Sequence, residues 1–146
     1  MTNSLKTFLW FNVNLDDVLE HYKDVFDLTV HSVFRNETGA LFTAEVSIYG
    51  HELVFMSVEG GPKFNEAVSL SLGVDGQGEV DRIWDALTEK GEAGKCGWCT
   101  DQFGVSWQVT PVQMHQWLQN PDPEISGYAW PKLMGMSKII LDELHL

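Results

Sequence analysis

Positive charge is what this chain has least of. Nine Lys and Arg stand against 21 Asp and Glu, for a formal net charge of −12. Such a field repels a phosphate backbone or an anionic lipid surface, so nucleic-acid and membrane-surface roles are set aside. Long apolar runs are missing too: none reaches the roughly 20 residues of a bilayer span. The opening MTNSLKTFLWFNV has one Lys and a brief apolar stretch. It does not read as a secretory leader, and a cytoplasmic protein is expected. Two cysteines are too few for a disulfide framework. The five histidines include no pair at compact metal-ligand spacing.

Both cysteines fall in KCGWCTD, as Cys96 and Cys99. A redox C-x-x-C opens a helix, whose dipole lowers the first thiol's pKa. Here a hairpin and a strand are expected to follow instead. If the segment is extended, its two Cα atoms lie about 10 Å apart, whereas a disulfide tolerates under about 7 Å. A structural zinc needs a second ligand pair, which the chain lacks. The motif is therefore read as incidental. The alternative is a tight turn at Gly97 that brings the thiols together.

What is present is a globular composition, 44% hydrophobic and 21% charged, in one domain of 146 residues. KTFLWFNVN alternates as a strand does. In LDDVLEHYKDVF, Leu15, Val18, Leu19, Tyr22, Val25 and Phe26 recur at helical spacing, with Asn14 placed to cap. LTVHSVFRNE, ALFTAEVSIY and ELVFMSVE follow as strands. The order then repeats. AVSLSLGVD is a strand, and GEVDRIWDALTEKG is a helix with Gly91 as its stop. GKCGWCTD and VSWQVTP are strands. Leu9, Phe11 and Val13 align with Leu70, Leu72 and Val74, Tyr22 with Trp84, and Gly50 with Gly104. The chain thus reads as an α+β fold of two tandem βαβββ modules, about 5–60 and 66–111, with a tail over 112–146. In the tail QNPDPE reads as a linker. LMGMSKIILDELHL reads as an amphipathic helix with Leu133, Met136, Ile140 and Leu144 on one side, packed on the domain or on a partner subunit.

Three stretches, FMSVEGGPKFNEAVSLSL, EVDRIWDALTEKGEAGKCGWCTDQFGVSWQVTP and the PDPE…MGMSKI tail, resemble the PhnB-like branch of the vicinal oxygen chelate superfamily. That superfamily includes glyoxalase I, extradiol dioxygenases and the bleomycin- and fosfomycin-resistance proteins. The branch commonly carries the label 3-demethylubiquinone-9 3-methyltransferase. Cys99 and the SGYAW stretch depart from its pattern. The resemblance implies curled mixed sheets, each a cup with its helix on the convex side, and a homodimer. It also implies metal-ligand positions on the first and last strand of each module, here Phe8, Val54, Ser69 and Gln108. Phe8 and Val54 have no donor atom, and Ser69 and Gln108 are weak neutral ligands, so no metal and no cofactor is expected.

Strand alternation divides the remaining residues between two faces. Leu9, Phe11, Val13, Leu53, Phe55, Val68, Leu70, Leu72, Val74, Val105, Trp107 and Val109 share the helix-facing parity. The opposite parity holds Trp10, Asn12, Val54, Met56, Ser69, Ser71, Ser106 and Gln108. Apolar walls with a few hydrogen-bonding groups suit a small-molecule pocket. The expected function is metal-free binding of a small molecule in the cup of a homodimer. The acidic surface favours a cationic ligand. One alternative is an enzyme using acid–base chemistry, with Glu52 or Glu59 as base, or a non-standard metal site. A methyltransferase is disfavoured, since EGGP and DGQG are the only glycine clusters and neither reads as a dinucleotide-type turn.

Overall fold

A computed structural model describes residues 2–146. The chain divides into two compact units, Met1–Lys63 and Phe64–Leu146. In the first, the elements run β1 (Thr7–Phe11), α1 (Leu15–Val25), β2 (Leu28–Arg35), β3 (Leu41–Ile48) and β4 (His51–Ser57). They form an open mixed sheet of order β1-β4-β3-β2, with β1 parallel to β4 and the other pairs antiparallel. Asn14 caps α1 by accepting from the backbone N–H groups of Asp16 and Asp17. The apolar stripe of α1 is buried against one face of the sheet. There Phe11 and Phe55 meet edge to face at 5.1 Å and Tyr22 meets Phe55 at 5.8 Å. Each fully buried Phe or Val contributes about 1.5–3 kcal/mol relative to exposure, so this aromatic knot anchors the helix.

The second unit repeats the plan with β5 (Leu70–Val74), α2 (Gly76–Thr88), β6 (Glu92–Ala93), β7 (Trp98–Thr100) and β8 (Ser106–Pro111). Its sheet, β5-β8-β7-β6, has the same connectivity, with β5 parallel to β8. Val80, Ile83, Trp84 and Leu87 are buried, as are Leu72, Trp107 and Val109. Two details differ from the sequence reading. The two-residue β6 was not anticipated. Gly91 lies beyond the helix end, and its role is space: a Cβ there would sit 2.1 Å from the Thr100 carbonyl oxygen.

The two copies are offset from the sequence alignment. Phe8 pairs with Val54 in one sheet, and Ser71 pairs with Gln108 in the other. The counterpart of Phe8 is therefore Ser71, not Ser69. The reason is a shorter connection: Asn12–Asn14 separate β1 from α1, but Asp75 alone separates β5 from α2. Val13 and Val68, assigned to the helix-facing side, fall outside the strands and are exposed.

The tail is helical, but not where the periodicity put its helix. After a short α3 (His115–Leu118), α4 runs Pro123–Met134, and residues 135–140 are not helical. Asp122 is the N-cap, accepting from the Glu124 N–H, and Pro123 occupies the first turn. Proline there has its φ preset and lacks a donor the helix would leave unpaired anyway. So the PDPE stretch begins the helix rather than linking to it. Beyond Gly135 the chain turns onto its own module. The Met136 and Ser137 carbonyls accept from the Cys96 and Gly97 N–H groups, each at 2.8 Å. Gln77 donates to the Ile139 carbonyl and accepts from the Leu141 N–H, and Lys138 pairs with Asp81 at 3.1 Å. Leu133, Met136 and Leu144 are buried as expected, with Ile139 rather than Ile140 completing the cluster.

Candidate functional site

In each sheet one face is covered by the helix, and the opposite face carries the residues singled out for binding. In the first unit, pairing extends that face strand by strand, because directly paired residues project to the same side. Phe8, Val54, Glu45 and Ser32 form one row, and Trp10, Met56, Thr43 and Phe34 form the next. Val54, Met56 and Trp10 are half-buried, and Phe8 is 57% exposed. Trp10 and Asn12 are engaged by their own chain. The Trp10 indole donates to the Val58 carbonyl at 2.9 Å. The Asn12 carboxamide donates to the Pro62 carbonyl and accepts from the Gly61 N–H, at 2.8 and 2.7 Å. Together they hold the segment after β4 against the sheet. Gly61 rests on the indole so closely that a Cβ would lie 2.4 Å from it.

The sequence-level carboxylate candidates do not sit at the middle of this face. Glu52 is exposed on β4 opposite Ser47, and Glu59 lies in the turn beyond β4. The carboxylate beside Val54 is Glu45, on β3. It accepts from the Ser32 hydroxyl at 3.0 Å and pairs with Lys6 at 3.5 Å. The signal was available in ALFTAEVSIY: Ala44, Val46 and Ile48 are buried, which puts Thr43, Glu45 and Ser47 on the other side.

In the second unit the corresponding row is Ser71, Gln108 and Trp98. The Gln108 amide donates to the Ser69 hydroxyl at 3.0 Å. Ser71 is exposed, Gln108 and Trp98 are half-buried, and Ser106 is buried opposite Thr100. This face is neutral along that row, with an indole beside an amide and two hydroxyls.

The cysteines lie off this face. The extended conformation expected for Cys96–Cys99 is replaced by a tight turn, closed by the Trp98 N–H on the Lys95 carbonyl at 2.9 Å. Cys96 has φ 56° and Gly97 φ 85°, the pair of positive values that a hairpin of this twist requires. The turn does not join the thiols, and both cysteines are free. Cys96 packs with the tail cluster, its Sγ 3.9 Å from the Met134 sulfur, and not on the open sheet face. Burial, aided by the Asp101 carboxylate, pushes the Cys99 thiol up to about 12. It is protonated at neutral pH and is a poor nucleophile. Native-state iodoacetamide labelling at pH 8 is therefore expected to modify Cys96 first. Cys99 should react only in urea, as read by peptide mass analysis.

The DGQG cluster does lie where a strand gives way to a helix, with Asp75 as the connection and Gly76–Gly78 opening α2. Even so, the place a phosphate would take at the start of α2 is used by a side chain. The Gln113 amide oxygen accepts from the Gly76 N–H at 3.0 Å, and its nitrogen donates to Asp75. The third glycine of a dinucleotide fingerprint is Asp81 here.

A family model described as 3-demethylubiquinone-9 3-methyltransferase matches residues 3–110. No curated protein matches in sequence. Among solved structures, the chain is similar to a putative 3-demethylubiquinone-9 3-methyltransferase, PhnB protein, from Bacillus cereus, at 24% identity and a TM-score of 0.68, covering 75% of this chain and 99% of that one. It is similar in fold to the fosfomycin resistance protein FosX from Listeria monocytogenes, solved with Mn(II) and sulfate, at 13% identity and a TM-score of 0.54, covering 73% and 89%. A glyoxylase/bleomycin resistance protein/dioxygenase domain from Frankia gives 16% identity and a TM-score of 0.51, covering 73% and 89%. The positions that the superfamily pattern gives to metal ligands carry a phenyl ring, an isopropyl group, a hydroxyl and an amide. Even with Ser71 in place of Ser69 they do not fit a divalent ion, which takes imidazole, thiolate or carboxylate donors. Among the described residues no three His, Cys, Asp or Glu side chains are grouped so as to hold a metal ion. No helix among them is long and apolar enough to cross a membrane.

Proposed function

Because the chain belongs to the 3-demethylubiquinone-9 3-methyltransferase family, a PhnB-like group within the vicinal oxygen chelate superfamily, we propose that it binds a small amphipathic molecule on the open sheet faces, without a metal, as a homodimer. The observation that carries this reading is the composition of those faces. In the first module Trp10, Val54 and Met56 make a half-buried apolar wall; in the second, half-buried Trp98 stands beside the neutral hydrogen-bonding groups Ser69, Ser71 and Gln108. Apolar walls supply affinity by area, and a few fixed polar groups supply orientation. The net charge of −12 favours a ligand that is cationic or neutral.

A second reading is an acid–base enzyme, and Glu45 is the residue that favours it. Its carboxylate lies next to Val54 and is oriented by Ser32 and Lys6. The methyltransferase reading has no comparable support, since the Gly-rich turn before α2 is filled by Gln113.

Thermal-shift screening of cationic amphiphiles and carbonyl compounds, with EDTA or with added Zn²⁺ and Mn²⁺, tests the proposal. Stabilisation that ignores EDTA is expected, and Met56→Ala or Gln108→Leu should weaken it by about tenfold, as loss of a well-packed contact does. Stabilisation that demands a divalent ion overturns the metal-free element. Turnover abolished by Glu45→Gln replaces binding with catalysis. Sedimentation as a monomer removes the homodimer.

A further inference from the structure

A cavity of about 330 Å³ lies in the tail of the second unit, away from its sheet face. Its size falls within the range of small-molecule sites. Trp117, Ile125 and Tyr128 provide apolar wall, and Asp122 and Glu124 provide two carboxylates. His145 stacks on Trp117, with ring centroids 4.6 Å apart and planes at 18°, which stiffens that wall. The Tyr128 ring already accepts a cation from its own helix, the Lys132 ammonium 5.4 Å from its centroid.

Charge decides what fits. The start of α4 contributes about half a positive charge. Two carboxylates at that end outweigh it, and no Lys or Arg lines the cavity. One Asp122 oxygen is used by the Glu124 N–H, so Glu124 is the acid better placed to meet a ligand. An anion is repelled here, and a neutral apolar molecule gains nothing from the two carboxylates. A cation with an apolar body meets both the aromatic wall and the acids. We propose that this cavity is a second binding site, for a small organic monocation of the quaternary-ammonium type. The inference is independent of the sheet-face reading, because no residue is shared.

The test uses two probes of nearly the same shape, choline and 3,3-dimethylbutan-1-ol, which differ in a charged nitrogen for a carbon. Each is titrated into the full chain while the Trp indole N–H resonances are followed. The Trp117 signal is expected to move, with choline binding at least about tenfold tighter than the alcohol. Glu124→Gln, an exposed helical change with an unaltered melting temperature as its fold control, should remove most of that preference. Gln108→Leu should leave it intact. Equal binding of the two probes overturns the proposal, as does no binding of choline. So does a choline response in Glu124→Gln equal to that of the parent chain. A response that tracks Trp98 and is lost in Gln108→Leu moves the cation to the sheet face and ends this proposal while supporting the other.

Discussion

Replacing Asp101 with alanine is expected to cost about 3–5 kcal/mol of unfolding free energy, the largest effect of any polar substitution in the chain. The carboxylate is buried and sits at the turn between β7 and β8. One oxygen accepts from the Phe103 and Val105 N–H groups at 2.9 and 3.0 Å, and the other from the Trp107 indole at 2.8 Å. Alanine removes the acceptor of all three bonds, and losing the partner of a buried donor costs about 1–3 kcal/mol. Trp107 is itself 1% exposed, so its N–H has no route to water. Asparagine separates the contributions. Its carbonyl can serve the two backbone donors, but its NH₂ then confronts the indole N–H. A loss of about 1–3 kcal/mol is expected. Urea unfolding followed by tryptophan fluorescence reads both variants. An alanine variant within about 0.5 kcal/mol of the parent, the range of ordinary surface changes, would show that the turn does not depend on this carboxylate.

Gly97→Ala is expected to cost about 2–4 kcal/mol and to loosen the tail from its module. Two effects add. At φ 85° an L side chain is strained, which costs roughly 1 kcal/mol. The added Cβ would also lie 2.8 Å from Ile139 Cδ1 and 2.9 Å from the Val109 carbonyl oxygen. Overpacking of this kind costs about 1–3 kcal/mol, and the carbonyl belongs to a strand that cannot easily yield. The Gly97 amide bonds to Ser137 and its carbonyl accepts from Val109, so any shift is felt on both sides. Hydrogen exchange should show faster exchange at Cys96 and Gly97 than in the parent. Uniform destabilisation with unchanged exchange at those two amides would assign the cost to the strand alone.

The topology was legible because each module repeats the same two periodicities, and burial obeys them. Phe11, Phe55, Val80 and Val109 are fully buried where alternation and helical spacing put them. The capping role of Asn14 was legible for the same local reason. What failed was non-local. The tail's apolar spacing fits a helix over 133–146, but the backbone of 136–137 finds better partners in the Cys96–Gly97 turn. The Asp122–Pro123 start signal was visible and was outweighed by reading its prolines as a linker. Ser69 was matched to Phe8 because the apolar alternation of the two first strands superposes Leu9 on Leu70, and the shorter connection before α2 shows only in the register. Glu45 lies on β3, between the first and last strands in chain order, on which the superfamily pattern places its ligands. Asn12 was placed among the ligand-binding residues, whereas both of its polar groups are used by the segment after β4.

That segment has a consequence beyond its own hydrogen bonds. Gly61 makes room for the Trp10 ring by having nothing where a methyl group would be. Alanine at 61 must displace either the ring or the segment resting on it, on the face that also carries Met56. Drift at this one small residue would reshape the open face of the first module while every residue of its floor stayed the same.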